Sequence, residues 1–351
     1  MNFFNNSAFN KHEQVSFFYD QVTGLKAIVA IHNTNLGPAL GGCRMWDYAS
    51  DEDALYDVLR LSQGMTYKAA LAGLPLGGGK SVIMGDPKKI KSEALIKSMG
   101  QAVESLGGKY IIAEDVGIGV EDMNQMSETC PYAMGVLKNN EGSGDPSPVT
   151  AHGVFVGIKS AVQYRLQRED LRGVKVAVQG LGHVGMYLCQ LLHAEGALLF
   201  VTDIDQEKVS YAVQQFGATA VGLDEIYDVD ADIFSPCALG AAINDETIKR
   251  LKVKIVAGAA NNQLAEVRHG QMLAEHNILY APDYAINVGG VISVYYEYAS
   301  RYKGIEFNRD NIFAHTNKIK ATLENIFSYA EQHKISTAAA ADIIAEKIFQ
   351  H

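Results

Sequence analysis

The pattern of apolar and polar residues predicts two kinds of element in the first part of the chain. Residues 15–20 and 25–33 are short runs of β-branched and aromatic residues bounded by Gly, Asn or Asp, which is typical of strands. From Ser50 onward, apolar residues recur with helical spacing behind a capping residue. We therefore expect a helix that runs towards Ala72 and stops at Gly73.

Beyond residue 150 the pattern becomes regular, with strands and helices in alternation. The segments are helix 151–166, strand 174–180, helix 184–196, strand 198–203, and strands within 231–238, 253–260 and 278–283. Alternation with this period predicts a parallel sheet covered by helices on both faces. From residue 311 to the end, the pattern predicts helix throughout.

The length of the chain indicates more than one domain. A chain of 351 residues is too long for one ordinary core, and residues 141–150 concentrate the Gly, Ser, Pro and Asp of a linker. We predict a two-domain α/β fold, with domains at 1–142 and 143–330 and an active-site cleft between them. A C-terminal helix at about 331–351 is expected to pack back on the first domain.

Composition and charge exclude several classes of protein. The formal net charge of -10, without a basic run, argues against nucleic-acid binding. There is no signal-peptide pattern and no apolar run of membrane-spanning length. The four cysteines are widely spaced, as in a reduced cytosolic protein: Cys43, Cys130, Cys189 and Cys237. We expect a cytoplasmic protein, unattached to membranes, that acts on small molecules.

The segment 180-GLGHVG-185 matches the dinucleotide-binding fingerprint G-x-G-x-x-G. It follows an apolar strand, opens a helix, and precedes a second strand that ends at Asp203, so its context is the required one. Asp203 would accept hydrogen bonds from ribose hydroxyls, and no arginine follows it to pair with a 2′-phosphate. We predict NAD as the cofactor, held by Gly180, Leu181, Gly182, His183, Val184, Gly185 and Asp203.

A second glycine-rich segment, 73-GLPLGGGKSV-82, resembles a P-loop but has Leu74 where the motif requires glycine. Its Lys80 is therefore available for other chemistry, together with Lys68 and Asp115. One lysine could hold a substrate carboxylate, and a lysine whose pKa is lowered by burial and a neighbouring cation could activate water. Asp115 could accept and return an amine proton. We expect the glycines before Lys80 to let a ligand come close.

Several segments together resemble the family of glutamate, leucine, valine and phenylalanine dehydrogenases. They are 36-LGPALGGCRMW-46, 64-GMTYKAA-70, 76-LGGGKSV-82, 113-AEDVG-117, 146-PSPVTAHGV-154, 179-QGLGHVG-185, 201-VTDID-205, 235-SPCALG-240, 257-AGAANNQL-264 and 281-APDYAINVGGVISV-294. They run in order over most of the chain, and the similarity is greatest to the leucine and phenylalanine branch.

This resemblance implies an N-terminal domain for substrate binding and oligomerisation and a Rossmann domain for NAD. It also implies the oxidative deamination of an L-amino acid to a 2-oxo acid. Lys80 would activate water, Asp115 would handle the amine proton, and Lys68 would bind the substrate carboxylate. The further residues that it implies are Gly41, Gly42 and Asn262 at the carboxylate, and Thr150 and Asn261 near the nicotinamide.

The resemblance also places an apolar lining around the substrate side chain, formed by Leu40, Met65, Ala113, Val291 and Val294. Such a lining argues against glutamate, whose second carboxylate would need a cation. Ala113 and Val291 favour leucine, whereas 41-GGCRM-45 and 77-GGGK-80 favour phenylalanine. We expect leucine and other branched-chain amino acids, with phenylalanine as the alternative. The departures at Val288 and 295-YYEY-298 could alter the pocket.

Two other functions remain to be weighed. A P-loop phosphotransferase would use Lys80 with Ser81, and a catalytically inactive NAD sensor would need only the fingerprint. No histidine or cysteine has the spacing of a metal site, so no metal is expected. The resemblance implies a homo-oligomer, either a dimer or an octamer.

Overall fold

The computed structural model describes residues 3–137 and 144–350, which form two compact units. Unit 1 consists of Met1–Asp145, Ser293–Asn308 and Ala345–His351, and unit 2 consists of Pro146–Ile292 and Arg309–Ile344. Each unit has its own sheet and helices, so the predicted two-domain α/β fold is confirmed. The predicted boundary between residues 142 and 143 lies outside the described residues.

Unit 1 is built on a mixed five-stranded sheet with the order β1-β2-β4-β3-β5. Its strands are β1 (Gln14–Asp20), β2 (Leu25–Asn33), β3 (Ala39–Trp46), β4 (Gly77–Met84) and β5 (Tyr110–Glu114). β3 lies between β4 and β5 and runs parallel to both, whereas β1 and β2 pair antiparallel. The two strands predicted at 15–20 and 25–33 are confirmed as β1 and β2.

Helices cover both faces of this sheet. They are α1 (Asp51–Leu71), α2 (Pro87–Ile90), α3 (Glu93–Glu104) and α4 (Val120–Met126). The predicted start of α1 is confirmed, since the Ser50 side chain accepts a hydrogen bond from the amide of Asp53. α1 packs on one face through Leu55, Val58 and Leu59, and the main core of the unit lies on the other face.

Unit 2 contains the predicted parallel sheet, with the order β11-β10-β9-β6-β7-β8. Its strands are β6 (Lys175–Gln179), β7 (Leu198–Thr202), β8 (Thr219–Ala220), β9 (Ile233–Pro236), β10 (Ile255–Val256) and β11 (Leu279–Tyr280). The helices before, between and after these strands are α5 (Ser147–Leu166), α6 (His183–Ala194), α7 (Gln206–Phe216), α8 (Thr247–Arg250), α9 (Arg268–Glu275) and α10 (Asp283–Ile286). In this arrangement β6, α6 and β7 form the strand-helix-strand unit that the fingerprint requires.

The C-terminal part is helical, as the apolar pattern predicted. It is divided into separate helices, which the pattern did not indicate. It consists of α11 (Gly289–Tyr302), α12 (Arg309–Thr316), α13 (Ile319–His333) and α14 (Thr337–Phe349). α13 is capped at its C-terminus by Lys334, which adopts a left-handed conformation with φ of 54°. The last residues of α14 belong to unit 1, where Glu346 accepts a hydrogen bond of 2.6 Å from the Tyr67 hydroxyl. Among the described residues, the helices are too short or too polar to cross a membrane.

Candidate functional site

Lys80 lies in the middle of β4, on the face of the unit 1 sheet that α1 covers. Alternation along the strand places Gly78, Lys80 and Val82 on this face, and Val82 packs with the apolar residues of α1. The same alternation places Gly42 and Arg44 of β3 there, with Ala113 of β5 beside Gly42. The candidate residues of three strands therefore share one surface.

Lys80 and Asp115 come from opposite sides of β3 and form an ion pair. Asp115 directly follows β5, while Lys80 is on β4, and Gly42 lies between them. A Cβ atom at Gly42 would lie 2.8 Å from the Cβ of Asp115 and 2.6 Å from the carbonyl oxygen of Glu114. Glycine is therefore required at position 42, because any side chain would displace Asp115.

Gly41 has a different neighbour. A Cβ atom there would lie 1.7 Å from the carbonyl oxygen of Gly79 and 3.3 Å from the amide nitrogen of Lys80. Tyr110 is fully buried on the sheet face opposite to α1, and its hydroxyl donates a hydrogen bond of 2.8 Å to the carbonyl oxygen of Gly41. The backbone on which Lys80 sits is thus tightly packed against β3.

The ion pair is shielded from solvent. The Lys80 side chain is 8% exposed and that of Asp115 is 18% exposed. Burial opposes ionisation of Asp115, but the nearby charges of Lys80 and Arg44 outweigh it and lower the pKa of the carboxyl to about 2. Asp115 is therefore an anion at every pH at which the protein is expected to work.

Sequence reasoning missed the rest of this charge network. Arg44 Nε lies 3.4 Å from Asp115 Oδ2, and Arg44 Nη1 pairs with Asp57 Oδ2 of α1 at 2.7 Å. The Tyr48 hydroxyl donates a further hydrogen bond of 2.8 Å to the same Asp57 oxygen. Arg44 lies inside the 41-GGCRM-45 segment, but a single arginine in a strand does not reveal its partners. Only the tertiary contact with α1 identifies them.

The interpretation of Gly77, Gly78 and Gly79 as an opening for a ligand was wrong. A Cβ atom at these positions would lie 2.0 Å from the Asn33 carbonyl oxygen, 2.0 Å from the Thr66 amide nitrogen and 2.8 Å from the Tyr110 ring, respectively. These glycines allow strands and α1 to pack closely. Lys80 also lies within a strand that follows a helix, the reverse of the strand-loop-helix order of a P-loop, which excludes the phosphotransferase alternative.

The other predicted substrate residues lie mainly in unit 1. Met65 and Lys68 are in the second half of α1, and both are partly buried. Leu40 of β3, Ala113 of β5 and Val294 of α11 are buried. Val291 is partly buried and falls in unit 2, one turn before Val294 on the same helix.

The fingerprint of unit 2 has the backbone geometry of a dinucleotide site. Gly180 has φ of 99°, a conformation that favours glycine, and a Cβ atom at Gly185 would lie 2.1 Å from the Gly180 carbonyl oxygen. Gly182 caps the N-terminus of α6, and a Cβ atom there would meet no other atom within 4 Å. The open side of Gly182 and the N-terminus of α6 suit a pyrophosphate group.

Asp203 lies beside this turn. Its Oδ2 atom accepts a hydrogen bond of 2.5 Å from the amide of Leu181, and its Oδ1 atom accepts one of 2.9 Å from the amide of Asp205. The carboxylate is thereby fixed at the end of β7, where ribose hydroxyls would lie. His183 is exposed and Val184 is partly buried in the first turn of α6.

The remaining predicted residues of unit 2 lie on α5 and in the loop between β10 and α9. The Thr150 hydroxyl donates a hydrogen bond of 3.1 Å to the Pro146 carbonyl oxygen at the start of α5. Asn261 accepts a hydrogen bond of 2.8 Å from Asn287, and Asn262 is held in a left-handed conformation with φ of 53°. Asparagine adopts this conformation more readily than most residues other than glycine.

One group of possible metal ligands occurs among the described residues: Asp245, Glu266 and His269. Arg268 pairs with both carboxylates, at 2.6 Å to Asp245 and 2.9 Å to Glu266. The amide of Glu266 donates to His269 Nδ1 at 2.9 Å, so the proton of the neutral ring must lie on Nε2, which faces Asp245. An arginine and an N–H group at its centre make this cluster unsuited to a cation.

Comparison with known proteins assigns each part of the chain to a family. The model of the Glu/Leu/Phe/Val dehydrogenase dimerisation domain matches residues 11–132. The model of glutamate/leucine/phenylalanine/valine dehydrogenase matches residues 142–207 and 198–350. Together they cover almost the whole chain, which confirms the resemblance identified from the motifs.

Individual relatives agree with this assignment. The chain is 53% identical to leucine dehydrogenase of Thermoactinomyces intermedius, over 96% of this chain and 90% of the relative. It is 47% identical to phenylalanine dehydrogenase of Caldalkalibacillus thermarum, over 97% and 92%. The crystal structure of L-tryptophan dehydrogenase from Nostoc punctiforme has a TM-score of 0.84 and 44% identity, and the match covers 97% of this chain and 96% of that one.

Proposed function

This chain belongs to the glutamate/leucine/phenylalanine/valine dehydrogenase family, and on that premise we propose that it oxidatively deaminates apolar L-amino acids, preferentially leucine and other branched-chain ones. The balanced reaction is L-amino acid + NAD⁺ + H₂O ⇌ 2-oxo acid + NH₄⁺ + NADH + H⁺. The observation that carries the proposal is the buried ion pair of Lys80 and Asp115 across Gly42. This pair places a proton acceptor, the Asp115 carboxylate, next to the amine of Lys80 where solvent has little access.

Lys80 and Asp115 divide the proton transfers between them. In its neutral form Lys80 removes a proton from water, which then attacks the carbon of the imino acid. Asp115 accepts a proton from the substrate amine and returns it to the departing ammonia. Lys68 remains charged and holds the substrate carboxylate, and the resemblance implies that Gly41, Gly42 and Asn262 also contribute to carboxylate binding. The low exposure of Lys80 keeps bulk water away from this exchange.

The fingerprint of unit 2 would hold the cofactor. Gly180, Gly182, Gly185 and the first turn of α6 fit its pyrophosphate, and Asp203 fits the adenosine ribose. When bound, the nicotinamide supplies hydride chemistry, accepting the hydrogen from the α-carbon of the amino acid. Members of this family use NAD or NADP, and we propose NAD because Asp203 is followed by Ile204, Asp205 and Gln206, none of which can pair with a 2′-phosphate.

The substrate preference follows from the predicted lining. Leu40, Ala113 and Val294 are buried and apolar, so the second carboxylate of glutamate would have no partner among them. Leucine is preferred over phenylalanine because Ala113 and Val291 match the leucine branch. An additional methylene changes binding by only about 1 to 3 kcal/mol, so several apolar amino acids are expected to react at different rates.

We further propose that the protein is a cytoplasmic homo-oligomer of at least two chains. The match of residues 11–132 to a dimerisation domain supports self-association through unit 1. β1 is an edge strand of the unit 1 sheet, and its Phe17 and Tyr19 are 56% and 70% exposed. Exposed aromatic residues on an unpaired strand edge suit a contact with a second copy.

A substrate panel tests the function. Leucine, valine, isoleucine, phenylalanine, tryptophan and glutamate are each assayed with NAD⁺ and with NADP⁺, and formation of the reduced cofactor is measured at 340 nm. We expect the highest kcat/KM with leucine and NAD⁺. If kcat/KM were highest with phenylalanine, the proposed substrate would be wrong. If kcat/KM were higher with NADP⁺ than with NAD⁺, the proposed cofactor would be wrong. No turnover with any pair would refute the proposal.

A further inference from the structure

The carboxylate of Asp115 has two cationic neighbours, and the proposed reaction uses only one of them. Lys80 must exist in a neutral form to remove a proton from water, and in that form it no longer compensates the charge of Asp115. Arg44 approaches the same Asp115 oxygen, at 3.4 Å. An arginine stays protonated throughout the working pH range, so its charge persists when that of Lys80 is lost.

The position of Arg44 is determined by contacts outside the catalytic pair. Its Nη1 atom is bound to Asp57 of α1 at 2.7 Å, and both side chains are largely buried, with exposures of 20% and 15%. The loop that carries Asp115 is also tied to β3, since the amide of Met45 donates a hydrogen bond of 2.8 Å to the Val116 carbonyl oxygen. Arg44 and Asp115 are therefore held in register by backbone and side-chain contacts together.

The other titratable groups near Asp115 do not replace this charge. Besides Lys80 and Arg44, they are Cys43 of β3, Tyr110 and Glu114 of β5, Tyr48, and, through Arg44, Asp57 of α1. Burial raises the pKa of the Cys43 thiol to about 12 and raises the pKa of Tyr110 well above its usual value, so both are neutral. Glu114 and Asp57 add negative charge. Lys68, on the helix that covers this face, is paired with the substrate carboxylate in the proposed reaction, so Arg44 is the cation left to Asp115 when Lys80 is neutral.

We propose that Arg44 is a positioning residue for the deamination, which compensates the charge of Asp115 so that Lys80 can adopt its neutral, water-activating form. This inference rests on the proposed function. Without Arg44, a proton taken up from solvent would stay on Lys80, since the amine is the more basic group and Asp115 would have no other cation beside it, and Lys80 could then not accept a proton from water. The residue acts through Asp115 and does not itself exchange a proton.

A purely structural role for Arg44 makes a different prediction. If Arg44 only joined β3 to α1 through Asp57, its loss would lower stability and leave the pH dependence of the reaction unchanged. Arg60 provides a matched control, because it also pairs with Asp57, at 3.3 Å, and its side chain is 41% exposed. Arg60→Gln removes a cation from the same carboxylate of α1 without removing the contact between Arg44 and Asp115.

The experiment compares kcat and KM between about pH 5 and 10 for wild type, Arg44→Gln, Arg44→Lys and Arg60→Gln. For Arg44→Gln we expect kcat to fall at least about tenfold near neutral pH and the acid limb of the kcat profile to move up by about one pH unit or more. KM for the amino acid and Kd for NADH should change less than about threefold. Arg60→Gln should have the wild-type profile.

Arg44→Lys keeps a cation but cannot reach Asp57 and Asp115 together, so its acid limb should move in the same direction by a smaller amount. This variant also carries the test if Arg44→Gln does not fold. An unshifted acid limb in the folded Arg44 variants overturns the inference while wild-type activity still supports the proposed function. An equal shift in Arg60→Gln also overturns it. If the wild-type protein itself has no activity, the proposed function is refuted, and with it the inference that rests on it.

Discussion

At the scale of single residues, the candidate site depends on charges that compensate one another in a small buried volume. Lys80 and Arg44 both face Asp115, and Asp57 balances Arg44 on the side of α1. Removing one member of a buried pair usually leaves an uncompensated charge and destabilises the protein. Here the second cation reduces that effect, so the catalytic and structural consequences of a substitution can be separated.

Lys80→Ala is predicted to abolish most of the activity without unfolding the protein. Loss of a general base lowers rates by about 10² to 10⁴-fold, while Arg44 still compensates Asp115. We expect kcat for leucine to fall by about that factor and Kd for NADH, measured by fluorescence titration, to stay within about twofold. Lys88→Ala, at an exposed position of α2, is the control. Near-normal turnover in Lys80→Ala would remove Lys80 from the mechanism.

At the scale of elements, the site depends on how closely α1 approaches β4. Gly78 lies directly under Thr66 of α1. Thr66 is next to Met65 in the sequence and two residues before Lys68. The helix therefore positions Lys68 and Asp57 over the same sheet face that carries Lys80 and Arg44. A change in helix-to-sheet distance would alter substrate binding and the Arg44 contact together.

Gly78→Ala is predicted to separate α1 from β4. Its Cβ atom would lie 2.0 Å from the Thr66 amide nitrogen, and overpacking of this kind costs about 1 to 3 kcal/mol. We expect lower thermal stability and a raised KM for leucine. The matched control is Gly64→Ala, in the same helix, where the added Cβ meets nothing within 4 Å. It should stabilise α1 by up to about 1 kcal/mol, and equal thermal midpoints for the two variants would contradict this account of the packing.

At the scale of the whole molecule, unit 1 is assembled from distant parts of the sequence. Residues 293–308 and 345–351 join the N-terminal 145 residues, and Phe349 packs near Tyr67 and His32 with ring centroids 5.5 and 6.0 Å apart. His32 lies beside His12, and both are buried. The Nδ1 atom of His32 lies 2.8 Å from the Thr66 hydroxyl, so this cluster connects β2, α1 and the end of α14.

The pair of histidines predicts how the stability of unit 1 depends on pH. Burial, with the charge of His12, lowers the pKa of His32 to about 4, and burial also lowers the pKa of His12. Between about pH 6.5 and 4 the unfolded chain binds protons that the folded chain does not. The free energy of unfolding therefore falls as the pH falls through this window, by up to about 3 kcal/mol for His32.

Trp46 is the only tryptophan of the chain and lies in unit 1, so its fluorescence follows the unfolding of this unit. Urea titrations at pH 7, 6, 5 and 4 should give decreasing midpoints. His32→Asn cannot titrate and keeps a polar group near the Thr66 hydroxyl, so its midpoints should decrease less. A wild-type midpoint that does not change from pH 7 to 4 would contradict the assignment of neutral, buried histidines.

The sequence by itself determined the class of fold and most of the elements, and it is the source of the proposed chemical groups. Periodicity located β1, β2, α1 and the strand-helix-strand unit around 180-GLGHVG-185, because these depend on local apolar patterns and turn residues. The spacing around Lys80 also argued correctly against a P-loop. The breaks between α12, α13 and α14 were not apparent, since an apolar pattern continues across a short turn.

Only the tertiary structure decided why the glycines are needed and which charges meet. The partners of Gly42, Gly78 and Arg44 lie 73, 12 and 13 positions away in the sequence, at Asp115, Thr66 and Asp57. Close approach of backbones and compensation of buried charge depend on distances in space between separate elements. A one-dimensional pattern records which residues can make such contacts, and the packing of β3 between β4 and β5, under α1, determines which ones do.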